Sequence, residues 1–394
     1  MTFLNRFLGT ETRDSTEKRS YSVSDLFLPV NTTPEVSTDT ALTNTAVWGC
    51  IRILSDNIAT LPVNVYEQDG DARLPLTPAP SWAGFSYGNN NRIDVLTQIM
   101  TSLLTDGNAY LATYRDAQGI VLFVEVLDPA SVTPEFVDGQ VEYLLAQADG
   151  TEAHLTKMDI LHIKGLALPG TIEGLSPIKF HTATIGLSNA ATDFGLKYFD
   201  NGTVPGGVIS VEGEPSDASI KALKASWTQA HGGAGNSNKL AVLTQGMSFS
   251  KISANPNEAQ FIDTRQFQIS DIARIYGVPP HLLADASGST SWGSGLAEQN
   301  TAFIQQSLRP WIERIELSFD WLLHSEGRAS NVFVKLNIEG LLRGDFNDRM
   351  DGYVKGLQAG IYNIDEVRSK EDMPPLPDGA GLHHNIWSNT IPVD

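Results

Sequence analysis

Asn257 to Leu323 constrains this chain most, because it reads as two long helices joined by a segment with almost nothing to bury. The first helix runs from about Glu258 to Tyr276. Phe261, Ile262, Ile269, Ile272, Ala273 and Tyr276 recur at helical spacing, while Asp263, Arg265, Asp271 and Arg274 take the wet face. Gly277 suits the left-handed position past a helix end, and Val278-Pro279-Pro280 forbids continuation. From Asp285 to Gly295 the residues are small and polar, among them Ser287, Ser289, Thr290 and Ser291, with Trp292 the one large side chain. Such a composition gives a mobile loop. The second helix spans roughly Leu296 to Leu323, with Ile304, Leu308, Trp311, Ile312, Ile315, Phe319 and Leu322 on one side. Pro310 lies in its middle, so a kink is expected near Gln306.

The remaining chain reads as α+β. Residues 1–40 are polar and broken by Pro29 and Pro34, a weakly ordered arm. One helix is expected from Ala41 to Ala59, with Asn44 or Thr43 at its cap, then a strand at Val63 to Tyr66. After a proline-rich loop, a helix from Asp94 to Thr105 precedes strands at Ala109 to Tyr114, Ile120 to Leu127 and Val132 to Leu145. Leu155 to Ile163 closes that region. Ser176-Pro177 opens a helix to about Phe199. A strand, a helix (Asp217 to His231) and two strand-like runs fill the space before Asn257. The end holds a strand from Val332, helices Phe346 to Ala359 and Asn363 to Lys370, and a loose tail.

The net charge is −19, which argues against a protein that grips nucleic acid through a basic patch. The segment Val204 to Ser253 is the exception. It carries Lys221, Lys224, Lys239 and Lys251 against Glu212, Glu214 and Asp217, a balance that suits a docking surface for other proteins and that chance over fifty residues explains as well. The single cysteine, Cys50, sits between apolar helix positions and reads as a buried, inert thiol. His162 alternates with Leu161 and Ile163 and reads as structural. No apolar run is long enough for a membrane helix, and the first residues lack the apolar core of a signal peptide. HGGAGNSNK lacks the Gly-Lys-Ser/Thr ending of a P-loop. No nucleophile elbow, H-E-x-x-H or paired-cysteine spacing occurs, so no catalytic residue, cofactor or metal is expected.

The order of these pieces resembles the portal proteins of tailed bacteriophages, in the long-tailed branch. The words that carry it are TALTNTAVWGCIRILSDNIATLPVNVYEQDG, LLTDGNAYL, DILHIKG, GLSPI, the VPP stop, LRPWIERIE and GLLRGDFNDRMDGYVKGLQAGIYNIDEVRSKEDMPPL. The resemblance implies a portal fold: N-terminal wing at 41–175, stem helix 1 at 176–202, clip at 203–255 and stem helix 2 at 256–278. The tunnel loop would be 279–295, the kinked wing helix and strand 296–342, the crown 343–381 and a tail 382–394. It implies a dodecameric ring at one capsid vertex of the virion, assembled in the host bacterial cytoplasm, with double-stranded DNA passing through its channel during packaging and ejection. Expected partners are the large terminase subunit, a head-tail connector or adaptor, and the major capsid and scaffolding proteins. Asp263 and Asp271 would face the channel. Asp285, Ser287, Ser289, Thr290, Ser291 and Trp292 would form the loop nearest DNA, and Lys221, Lys224 and Lys239 would lie on the docking clip. Two other classes fit single features: a monomeric interaction scaffold, and an enzyme using the Ser/Gly loop as a lid.

Overall fold

The structure is a computed structural model that describes residues 36–85, 88, 90–200, 208–211, 216, 218–222, 247–250, 257–284, 294–338, 341, 346–371 and 373–384. The arm up to residue 35 and the tail after 384 therefore lie outside the described residues. The expected helix Ala41 to Ala59 is in fact two, α1 (Thr38–Leu42) and α2 (Thr45–Ala59). The break occurs because Asn44 adopts extended backbone and turns its Oδ1 to accept from the N–H groups of Ala46 and Val47. Strands β1 (Val63–Asp69) and β2 (Ala72–Pro75) form a hairpin around Gly70. Helix α3 (Arg92–Thr105) starts in a capping box between Asn91 and Asp94.

Six strands follow: β3 (Asn108–Arg115), β4 (Val121–Leu127), β5 (Val132–Val137), β6 (Gln140–Ala146), β7 (Glu152–Leu155) and β8 (Ile160–Lys164). They make two antiparallel sheets, ordered β4-β3-β8 and β5-β6-β7. The helix expected to start at Pro177 is also split, into α4 (Pro177–Phe180) and α5 (Thr182–Asp200), with His181 between. Strands β9 (Val208–Val211) and β10 (Met247–Ser250) pair antiparallel, and residues 218–222 are helical between them. Helix α6 (Asn257–Tyr276) leads to a 3-10 turn at Pro280–Leu283. The long helix is α7 (Ser294–Phe303), a π turn at Ile304–Leu308, and α8 (Arg309–Ser325). Strand β11 (Val332–Leu336), α9 (Phe346–Gln358) and α10 (Ile364–Lys370) complete the order.

The expected kink is a π turn, and its cause is visible. The Arg309 N–H reaches back to the Ile304 carbonyl, one residue further than in an α-helix, where Pro310 has no N–H to offer. One core gathers Val47, Leu54 and Ile58 of α2, Leu96, Ile99 and Leu103 of α3, and Ile312, Ile315, Phe319 and Leu322 of α8. Removing each such side chain from water stabilises the fold by about 1.5–3 kcal/mol. Trp82, within the proline-rich loop, is buried in that core. It stacks on Phe319 with ring centroids 5.4 Å apart, and its Nε1 donates to Glu326 Oε1 at 2.8 Å.

Strand β11 returns across the chain to pair with β1 in the register Val63–Leu336, Val65–Val334, Glu67–Val332. Its other edge is closed by α8. Asp320 Oδ1 accepts from the Val334 N–H at 2.6 Å and Glu316 Oε1 from the Leu336 N–H at 2.8 Å. Two carboxylates one helical turn apart thus satisfy an edge that would otherwise expose its donors. Glu316 also pairs with Lys335, and burial raises the Asp320 carboxyl above its ordinary pKa.

Candidate functional site: the helical stem and its two junctions

Helices α5 and α6 pack together, and α2 lies against α6. Two junctions fix this pair to the rest. At its upper end, α6 closes in a Schellman motif: Val278 N–H donates to the Ala273 carbonyl at 2.9 Å and Gly277 N–H to the Arg274 carbonyl at 3.3 Å. Gly277 has φ +69°, as the sequence requires of it. The π turn then presents Ser307, whose Oγ donates to the Gly277 carbonyl at 2.5 Å. A cleft of about 630 Å³ lies between the helices there, lined by Ala273, Val278, Pro280, Phe303 and Ser307 among others. His281 lines it too, and its buried Nε2 has no hydrogen-bond partner. The described chain halts at Ala284 and resumes at Ser294, so the roots of the loop are defined while its own residues are not.

The second junction starts α4 and therefore α5. Ser176 caps the helix by accepting from the Lys179 N–H at 3.1 Å, while its Oγ donates to the Thr105 carbonyl at 2.6 Å. Asn108 is the centre of this knot. Its Oδ1 accepts from Gly174 N–H at 2.6 Å and lies 3.0 Å from His162 Nε2. Its Nδ2 donates to the carbonyls of Asp106 and Gly174. Gly165 N–H donates to the Gly107 carbonyl at 2.8 Å, and Arg314 Nη1 donates to the Gly165 carbonyl at 2.8 Å, which brings α8 into the same knot. Only glycine fits at two of its corners. A Cβ on Gly107 would lie 2.2 Å from the Leu175 carbonyl oxygen, and one on Gly174 equally close to that of Gly107.

His162 is structural, as its alternation implied. Burial holds its imidazole neutral with a pKa lowered to about 3, and Asn108 Oδ1 then fixes the proton on Nε2 so that Nδ1 accepts from Tyr143 OH at 3.3 Å. Cys50 is buried with its pKa raised to about 12, an inert thiol. Among the described residues no group of three or more His, Cys, Asp or Glu could hold a metal ion. No described helix is long and apolar enough to cross a membrane.

The residues singled out from sequence scatter over these elements. Asp271 lies on α6, partly buried and paired with the exposed Arg274. Asp263 falls on α6, with its side chain outside the described residues. Lys221 is exposed within the helical residues 218–222. Lys224, Lys239, Asp285, Ser287, Ser289, Thr290, Ser291 and Trp292 lie outside the described residues. Sequence reasoning missed Asn108 and Ser307 as organising side chains, and it named Asn44 only as a cap, without its bonds to Ser188 and Asn189. Only Asn44, as a cap candidate, carried a local signal.

Comparison with known proteins assigns the family. Residues 45–372 match the family described as phage portal protein. The chain is 45% identical over 361 residues to a probable portal protein of Streptomyces phage phiC31, covering 89% of this chain and 79% of that one. It is 33% identical over 341 residues to the portal protein of Enterobacteria phage HK97, covering 84% and 79%. A chain from the virion of a native gene transfer agent particle has the same fold, with a TM-score of 0.65 at 20% identity over 87% of this chain and 95% of that chain. A chain from the neck of that particle computed with C12 symmetry gives 0.61 at 21% identity over 85% and 93%. An HK97-family phage portal protein from Corynebacterium diphtheriae gives 0.55 at 16% identity over 78% and 96%. The α+β fold read from the sequence is thus the portal fold, and this chain belongs to the phage portal protein family.

Proposed function

We propose that the protein forms a closed ring of twelve copies at one capsid vertex of the virion, through which double-stranded DNA passes on packaging and ejection. The family membership supports this, together with the likeness to a chain in a twelvefold neck. The observation that carries it is the helix pair α5 and α6, with α5 held at its start by the Asn108 junction and α6 at its end by the Gly277–Ser307 junction. Such a pair is a stiff strut around which a channel can be built. Asp263 and Asp271 face the channel in this reading, and the loop from Asp285 to Trp292 lies nearest the duplex. An acidic chain that repels phosphates lets DNA slide without sticking.

The clip with Lys221, Lys224 and Lys239 receives the terminase during packaging and a head-tail adaptor afterwards. The wing and crown meet major capsid and scaffolding proteins during assembly in the host cytoplasm. The role is structural and not enzymatic: the motor's ATP hydrolysis belongs to the terminase. Negative-stain imaging of the purified protein tests the core of this reading. Rings with a central hole are expected; a folded monomer at every concentration would leave a scaffold role instead. Tight duplex binding with a steep salt dependence would count against the sliding channel.

A further inference from the structure

A second cleft, of about 400 Å³, lies where α5 and α6 meet α1 and the start of α2. Gln268 of α6 lines it at 5% exposure, and its Nε2 has no hydrogen-bond partner. Arg265, one turn earlier on the same helix, lines it as well and forms no ion pair among the described residues. The other donors of the lining are used. The hydroxyls of Thr40, Thr43 and Thr192 donate to backbone carbonyls nearby, and Asn44 Nδ2 is bonded to Ser188 and Asn189. The cleft thus holds two unused donors, one of them buried, and a buried donor without an acceptor costs stability. Asp193 lines the same cleft and is not paired with Arg265.

We propose that residues 32–35 of this same chain dock in the cleft, one of their backbone carbonyls accepting from Gln268 Nε2 and the Glu35 carboxylate pairing with Arg265. The occupant follows from where the described chain begins. Val36, its first residue, lines the cleft, and Ser37 after it caps α1. Glu35 is therefore one Cα step, about 3.8 Å, from the cleft wall. Pro34 disfavours helical backbone at Thr33, and an extended stretch has carbonyls to offer a side-chain donor. Glu35 is also the one charged residue between Asp25 and Asp39, and its sign complements the unpaired guanidinium. The contact roots the N-terminal arm on the helix pair within a single chain, independently of any ring.

Glu35→Lys and Arg265→Glu should each lower the melting midpoint of the full chain by about 2 °C or more, and the two together should restore it. Gln268→Leu gives an independent reading. An empty cleft predicts a higher midpoint, because the unpaired donor is gone, whereas the docked segment predicts a lower one. Placement within one chain is read from Glu35→Cys combined with Arg265→Cys, the native Cys50 being buried. A short bis-maleimide should link the two thiols inside a single chain about tenfold faster than when Arg274→Cys, further along α6, replaces Arg265→Cys. Links between chains, equal rates at the two positions, a raised midpoint in Gln268→Leu, or no recovery in the double charge swap each overturn the docking.

Discussion

Ser307 Oγ donates to the Gly277 carbonyl at 2.5 Å, joining the end of α6 to the π turn between α7 and α8. The bond exists because both helices are irregular at that level. A Schellman end leaves the Gly277 carbonyl facing outward, and the π turn rotates Ser307 toward it.

The cost of altering Gly277 is therefore conformational. An added Cβ would meet Ser307 Oγ at 3.5 Å, an ordinary contact, but φ +69° strains any L side chain. Gly277→Ala should lower stability by about 1–2 kcal/mol. Ser307→Ala should cost about 1 kcal/mol by leaving one carbonyl short of a partner. Denaturant titration measures both. A larger loss from Ser307→Ala than from Gly277→Ala would mean that the hydrogen bond, and not the backbone, holds this end.

Gly107 and Gly174 should behave differently. Their missing Cβ atoms would sit 2.2 Å from backbone carbonyl oxygens, which cannot rotate away. Gly107→Ala or Gly174→Ala should cost about 4 kcal/mol or more, enough to lose folded protein on expression. Gly119→Ala is the matched control. It has φ +86° with open space around it, so about 1 kcal/mol is expected. Soluble yield and melting temperature across the three variants separate steric from conformational cost.

How much of this was legible beforehand depends on range. Helix ends were readable wherever the signal is local, as at Ser176-Pro177, Gly277 and Asn363, because a cap or a left-handed glycine acts within one turn. At Asn44 the cap is legible but the short helix before it is not, and the break at His181 is hidden because the apolar spacing runs through it. The pairing of β1 with β11, Trp82 beneath Phe319, and the carboxylates of Glu316 and Asp320 on a strand edge join residues far apart in sequence. Glu316 lies off the apolar stripe of the long helix, and spacing cannot show that a strand edge needs acceptors there. The family was legible through an ordered series of words, whereas the Asn108 knot has no sequence signal beyond its glycines.

His162 gives the fold a dependence on acid. Its folded pKa of about 3 lies below the ordinary value of 6.5, so the unfolded chain binds the proton more readily between these limits. Stability should therefore fall as pH drops from about 6.5 toward 3, by no more than about 1.4 kcal/mol per pH unit from this group. His162→Gln keeps a donor toward Asn108 and cannot titrate. Comparing urea midpoints of the two proteins at pH 7 and pH 5 isolates the effect. An equal drop in both would assign the acid sensitivity to other groups.

Asn44 performs two tasks that substitution can separate. Its Oδ1 caps α2, and its Nδ2 donates at 2.9 Å to both Ser188 Oγ and Asn189 Oδ1 of α5. Serine at this position still caps a helix but cannot reach the stem; alanine does neither. Asn44→Ser should thus cost about 1 kcal/mol for the lost tie, and Asn44→Ala about 2 kcal/mol for tie and cap together. The side chain is buried, so water cannot readily replace either bond. Chemical denaturation gives the two losses, and amide exchange at Ala46 and Val47 reports the cap directly. Exchange should stay slow in Asn44→Ser and quicken in Asn44→Ala. Equal destabilisation by both variants, with equal exchange, would show that the cap contributes nothing and that the bonds to Ser188 and Asn189 alone fix α2 to α5.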